Sequence, residues 1–428
     1  MKRLLFVLTL ILASFLIIGC DSDDEITSSV PETPALTEDL ASTVEPTTEP
    51  QDDVVITIGN LTDQTGPSAN AVSVINGALD DLVDYCNETS FIPGVKLKVV
   101  TYDGQLDPSR DIPGYEWLLS KGADLIYTSV PTSPVTLASR VNREKVVLFT
   151  PSIPLKELSP PGFIFDTGNV PEHDAYTLLK WIAENDWDYQ ANGPAKIGGA
   201  GWTDSYDIEF MDALERYAEA HPDKFEFIGS YAKEFTFLWS TEVEALKDAD
   251  YIFPPSIPIT LMKQYRKAGH DGKFICGETH AAFMGLIGKA DIWDEVDGTL
   301  YIRTSRWWTE SDPVIDFTNR ILDERHSSNK ATEIRQMGAG YLALGTTLYA
   351  IVDIIRIAAK TVGPENIDSQ ALCDAAESYS LIVDDVARYS FSEAKRYLVD
   401  YLRVFRADGV QKDLVPLSDE WLPVVLEP

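Results

Sequence analysis

Val54-Val55-Ile56-Thr57-Ile58-Gly59-Asn60-Leu61-Thr62-Asp63-Gln64-Thr65-Gly66-Pro67 decides the fold class of this chain. Val54 to Ile58 is a β-branched run and reads as a strand. Gly59 to Pro67 is mostly polar, ends in Gly-Pro, and reads as the loop leaving that strand. A helical pattern follows, with Val72, Ile75, Leu79, Leu82 and Val83 falling on one face.

Strand then helix is the repeating unit of everything downstream. A second strand is expected at residues 95–102, a helix at 115–121, a strand at 123–128, a helix opening at Val130-Pro131-Thr132-Ser133-Pro134, and a strand at 146–150. The pattern restarts after Asn169-Val170-Pro171. Helices are expected near 175–184, 207–220, 240–246 and 260–268, and strands at 195–199, 225–230, 251–254 and 274–277. A long helical segment, 337–362, and two terminal strands near 397–405 and 421–425 complete the reading. Such alternation argues for an α/β fold with parallel sheets covered on both faces, in two halves.

Upstream of this body, the chain opens Met1-Lys2-Arg3 and runs apolar for about 15 residues, short of the roughly 20 that span a bilayer comfortably. It closes on Ile17-Ile18-Gly19-Cys20, which resembles the lipobox of bacterial lipoproteins and implies lipidation of Cys20. Residues 21–52 are Ser, Thr, Pro and acid, with ten Asp/Glu, no Lys or Arg and no aromatic residue. That composition cannot bury enough apolar surface to fold, so the segment reads as a disordered tether. Setting aside the two leader cations and the ten tether acids takes the formal charge from −33 to about −25 on the body. An acidic body without a basic cluster argues against a nucleic-acid partner. Cys86, Cys276 and Cys373 are far apart, with no CxxC and no His at ligand spacing, which excludes a disulfide scaffold and a structural zinc site. At most one disulfide is expected.

The order and spacing of several motifs resemble the type I periplasmic solute-binding proteins of ABC transporters, the branched-chain amino acid and amide group. They are Leu61-Thr62-Asp63-Gln64-Thr65-Gly66-Pro67, Val99-Val100-Thr101-Tyr102-Asp103, Ser133-Pro134-Val135-Thr136-Leu137-Ala138, Leu148-Phe149-Thr150-Pro151-Ser152 and Gly340-Tyr341-Leu342-Ala343. The resemblance implies two doubly wound parallel-sheet lobes joined by three crossovers, with a solute held between them. The crossovers are expected near Asn169-Val170, Leu300-Tyr301-Ile302 and Tyr389-Ser390-Phe391. Lobe 1 then combines 53–168 with 303–388, and lobe 2 combines 171–299 with 392–428. The implied partners are a small solute, ABC permease subunits and the membrane through Cys20. The receptor is expected to be a monomer outside the cytoplasm with no cofactor.

Site residues follow from the same comparison and from local chemistry. Ser133 before Pro134 has the form of a helix N-cap, and a helix N-terminus favours a carboxylate. Thr132 and Ser133 are therefore expected at the solute's acid group. Ser152 ends a strand at its carboxyl side, where open α/β sheets bind ligands. Glu278 stands near an acidic position that pairs with the ligand ammonium in amino-acid-binding relatives. Trp202, Asp204 and Tyr206 follow the strand at 195–199 and are expected to cover an apolar group and to bond a polar one. Trp307 and Trp308 read as packing near the second crossover. Two departures from amino-acid binders stand out. Pro154 replaces a hydroxyl residue, and Ser68-Ala69-Asn70-Ala71 lacks an aromatic residue.

No Gly-x-Ser-x-Gly, P-loop or GxGxxG follows the first strand, and the five histidines are scattered. Only His280 beside Glu278 offers an enzyme reading any constellation, so a binding role without catalysis is expected. A sensory module that reports solute occupancy to a membrane receptor is the alternative. Neighbouring genes for permeases and ATPases, or for a kinase, separate the two.

Overall fold

The computed structural model describes residues 53–428. The leader, Cys20 and the acidic tether lie outside the described residues. The first sheet holds β1 (Val54–Thr62), β2 (Val95–Asp103), β3 (Leu125–Thr128), β4 (Leu148–Ser152) and β5 (Ile164–Asn169), in the order β2-β1-β3-β4-β5. Every pairing in it is parallel. Helices Ala69–Thr89, Asp111–Ser120 and Ser133–Glu144 connect successive strands. β1 is buried from Ile56 to Thr62, as a strand covered on both faces must be.

The second sheet begins with β6 (Ala195–Trp202), β7 (Phe225–Lys233), β8 (Tyr251–Phe253), β9 (Lys273–Cys276) and β10 (Leu300–Arg303). These strands are parallel and run β10-β9-β8-β6-β7. After a hairpin of β11 (Ser380–Val383) and β12 (Val386–Ser390), the chain re-enters this sheet. There β13 (Tyr401–Asp408) lies antiparallel on β10, followed by β14 (Asp413–Pro416) and the short β15 (Leu422–Pro423). The doubly wound α/β architecture expected from the alternation is what the chain adopts. The antiparallel edge on the second sheet is an addition to it.

Several local readings change. Leu300–Ile302, near which a crossover is expected, lies within β10 and hydrogen-bonds on both sides inside the second sheet, and the chain leaves that sheet after Arg303. β5 escaped the sequence because its second half, Asp166-Thr167-Gly168-Asn169, is polar although every residue in it is buried. The segment 337–362 is two elements, a 3-10 turn Gly340–Leu344 and a helix Thr347–Val362. Gly345 separates them where a Cβ would stand 2.4 Å from Thr318 Oγ1 and 2.7 Å from the Val314 carbonyl, so only glycine lets the chain approach helix Pro313–Arg325 this closely. Gly340–Val362 is long and apolar enough to cross a bilayer, but it is mostly buried and packs as a core element. Cys86, Cys276 and Cys373 are buried and free.

Candidate functional site

The carboxyl ends of β1, β3, β4 and β5 face those of β6, β8, β9 and β10 across a cavity of about 160 Å³. Its wall takes Ser129 and Thr132 from beyond β3, Ser152 from β4, Asn169 from β5, Trp202 from β6 and Asp204 from beyond it, Ser256 and Ile257 from beyond β8, and Glu278 and Thr279 from beyond β9. This is where open α/β sheets bind ligands, because the loops there are free of the ladder and the following helices point their N-termini inward. Hydrogen bonds beside the cavity join the two sides. Ser205 Oγ donates to the Pro131 carbonyl at 3.0 Å, and the Ala339 N–H to the Ala281 carbonyl at 2.9 Å.

The loop after β1 is held by Asp63, whose carboxylate accepts from the N–H groups of Gly66 and Ser68 at 2.5 and 2.8 Å and from the Ser68 hydroxyl at 2.7 Å. This folds Thr62 to Pro67 into a tight turn and places Ser68 on the cavity wall. Of the residues expected at the site, Thr132, Ser152, Trp202, Asp204 and Glu278 share this wall.

Ser133 and Tyr206 do not. Ser133 is the first residue of its helix and Thr132 is the cap, one position earlier than the Ser-Pro signature implies. The Ser133 hydroxyl turns inward and donates to Asp111 Oδ1 at 2.8 Å, a buried acid that sequence spacing does not reveal. Tyr206 is buried behind the wall, its hydroxyl filling the space that a side chain at Gly277 would need.

Ser152 is 2% exposed and its hydroxyl has no partner in the protein. Trp202 packs its ring against Phe235 at 4.7 Å and donates from Nε1 to the Thr236 carbonyl at 3.0 Å, which fixes it as a flat apolar panel. Asp204 caps helix Ser205–Ala220, with Oδ1 accepting from the N–H groups of Tyr206 and Asp207 at 3.0 Å each. Burial pushes the Asp204 carboxyl above the usual range, and Asp207 further, by burial first and then by the neighbouring Asp204.

Glu278 is bound to a residue that sequence reading missed. Its Oε1 accepts from Arg303 Nη2 at 2.7 Å, and its Oε2 accepts from Arg303 Nε at 3.2 Å and from the Thr304 N–H at 3.1 Å. Arg303 is fully buried at the end of β10, with its guanidinium 4.5 Å from the Trp307 ring centroid. An arginine closing an apolar strand was its only sequence signal, and nothing in the chain order links it to Glu278. His280 is fully buried, its Nδ1 accepting from the Gly277 N–H at 3.2 Å and its Nε2 lying 3.1 Å from the Pro254 carbonyl. Burial lowers its pKa to about 4, so it stays neutral and structural. Among the described residues no group of three or more His, Cys, Asp or Glu side chains is arranged to hold a metal. Trp307 and Trp308 lie outside the cavity wall. They donate to Asp413 Oδ1 at 2.6 Å and to the Gly338 carbonyl at 3.0 Å.

The sequence model of the periplasmic binding protein family matches residues 55–412. This chain belongs to the periplasmic binding protein family. Among solved structures, a branched-chain amino acid ABC transporter protein from Thermus thermophilus with bound valine is 15% identical, with a TM-score of 0.74, over 88% of this chain and 98% of that one. A fatty acid ABC transporter substrate-binding protein from Thermomonospora curvata is 14% identical, with a TM-score of 0.70, over 88% and 97%. An ABC transporter solute-binding protein from R. palustris in complex with benzoate is 13% identical, with a TM-score of 0.65, over 87% and 97%. At these identities the likeness is one of fold. No curated protein matches the chain in sequence. A periplasmic binding protein is a two-sheet receptor for a solute, and the cavity between the facing strand ends is where this one has room for it.

Proposed function

We propose that this chain is the extracytoplasmic receptor of an ABC transporter, anchored through lipid on Cys20 and capturing a small acid, amide or amino acid between its two lobes. The observation that carries the reading is the cavity itself, closed between eight strand ends and spanned by the Ser205 to Pro131 hydrogen bond. Such a space hides a solute from water until the lobes part, as delivery to a permease requires. The first lobe comprises residues 53–168 with the helices between 313 and 377. The second comprises 171–303 with 401–428, and the passages between them act as hinges. Thr132 at a helix N-terminus and Ser152 with its unshared hydroxyl receive the solute's oxygen atoms, Trp202 covers its apolar part, and Asp204 and Glu278 line the opposite wall. Ser133 and Tyr206 support this set from behind.

The test is a thermal-shift screen of the detergent-solubilised full chain against amino acids, short amides, urea, aromatic acids and nucleosides. A ligand at 100 times its Kd adds about 2.7 kcal/mol to the folded state and raises the melting temperature. A shift confined to one class supports capture. No shift with any class overturns it.

A further inference from the structure

The cavity wall carries two acidic side chains, Asp204 and Glu278, and no basic one. An amino acid sealed in such a space brings an ammonium group, which needs an unshared carboxylate once its water is gone. Neither acid offers one. Asp204 Oδ1 is engaged by two helix N–H groups, and its carboxyl also shares a hydrogen bond with the buried Asp207 side chain. Glu278 is gripped on both oxygens by Arg303 and again by the Thr304 N–H, so its charge is matched inside the protein. Arg303 has no access to water and rests on the Trp307 ring, so it cannot swing away to release Glu278 without leaving a charge buried alone.

Val72, Ile75, Trp202, Ile257, Phe283 and Leu342 form the apolar part of the wall, and uncharged hydroxyl and amide residues make up much of the rest. Two groups on the first-sheet side are placed to receive an oxyanion. The helix starting at Ser133 presents its N-terminus at Thr132, and Ser152 lies on the adjacent strand with a buried hydroxyl that no protein atom accepts from or donates to. Helix N–H groups of this kind bind an oxyanion without a cationic side chain.

We propose that the cleft selects an apolar carboxylic acid lacking an ammonium group, and that Arg303 sets this selection by occupying Glu278. The inference rests on the capture reading above and narrows it. Arg303 is a specificity-determining residue acting through Glu278, and removing it turns Glu278 into an ammonium receptor.

The test compares matched pairs by titration calorimetry on the detergent-solubilised full chain: 4-methylpentanoate against leucine, and 3-phenylpropanoate against phenylalanine. We expect the acid of at least one pair to bind about 10-fold or more tightly than its amino acid. In Arg303→Met the ratio should fall by about 10-fold, through tighter binding of the amino acid, since the freed carboxylate then meets an opposite charge. If that variant fails to fold, the wild-type ratio decides alone. An amino acid that binds as tightly as its acid overturns the proposal while leaving capture intact. Binding of an unrelated solute with neither pair bound does the same. If no solute of any class binds, the capture reading falls first and this proposal with it.

Discussion

Replacing Asp166 with Asn should raise the stability of the folded protein, by more as the pH rises. Asp166 lies on β5 with no access to water, beside the passage from the first sheet into the second. One carboxyl oxygen accepts from the Gly168 N–H at 3.0 Å and the other has no partner. Burial, with a smaller push from Glu172, raises its pKa from 3.8 to about 8. The folded state therefore keeps a proton that the unfolded chain releases, and stability is greatest below about 3.8 and is lost as pH rises towards about 8. Each pH unit in that window costs about 1.4 kcal/mol, so the loss between pH 4 and 7 is about 4 kcal/mol. Asn has the shape of the protonated acid and cannot ionise. The variant should match the wild type near pH 4 and exceed it increasingly up to pH 8. Urea midpoints of both proteins at half-unit steps from pH 4.5 to 8 read the difference directly. Parallel curves would show that Asp166 does not carry the proton, and a variant less stable at every pH would show that the ionised carboxylate is engaged in the fold.

Gly277→Ala places a methyl 2.2 Å from the Tyr206 hydroxyl and 3.0 Å from Asp174 Oδ2, so the ring must move. It should cost about 1 to 3 kcal/mol by overpacking and weaken solute binding through the shift of Glu278, both measurable by melting with and without solute. Arg388→Met removes the 2.7 Å partner of Asp312, in a site where both side chains are 1% exposed, and leaves it only Arg306 Nε at 3.5 Å as a cationic partner. A loss of about 1 to 3 kcal/mol is expected in urea unfolding, and an unchanged midpoint would contradict the pairing. Cys20→Ser should abolish incorporation of radiolabelled palmitate into the protein in cells. Labelling equal to that of the wild type would refute the lipid anchor.

The fold was legible because its signals are local and repeated. Runs such as Val54 to Ile58 and the helical spacing from Val72 to Val83 survive any tertiary arrangement, since a parallel sheet covered on both faces demands them. The missed elements are those that break these patterns. β5 reads as loop because buried acids and amides replace its apolar residues, and the hairpin β11–β12 follows a helix without a strong turn signal. Asp312-Pro313 did carry a helix start, with the Asp312 carboxylate accepting from the Ile315 N–H at 2.8 Å and Pro313 at the first turn, but the sequence reading passed over it.

Within the site, chain order marked the loops but not the directions of side chains. Thr132, Ser152, Trp202, Asp204 and Glu278 reach the wall because each lies within a few residues of a strand's carboxyl end. Ser133 and Tyr206 lie in the same loops and turn away, one to Asp111 and the other behind Gly277. A shift of one residue in a helix start rotates a side chain by about 100°, and the choice between cavity and core depends on partners far away in sequence.

By itself the sequence determined the α/β alternation, the parallel sheets and the strand ends at which a solute can bind, because periodicity and burial are properties of neighbouring residues. Only the tertiary structure decided what charge the cavity presents. Glu278 and Arg303 stand 25 positions apart and end on adjacent strands, β9 and β10, whose pairing brings the guanidinium onto the carboxylate. Electrostatic energy depends on distance through space and on the exclusion of water, and neither is written in the order of the chain.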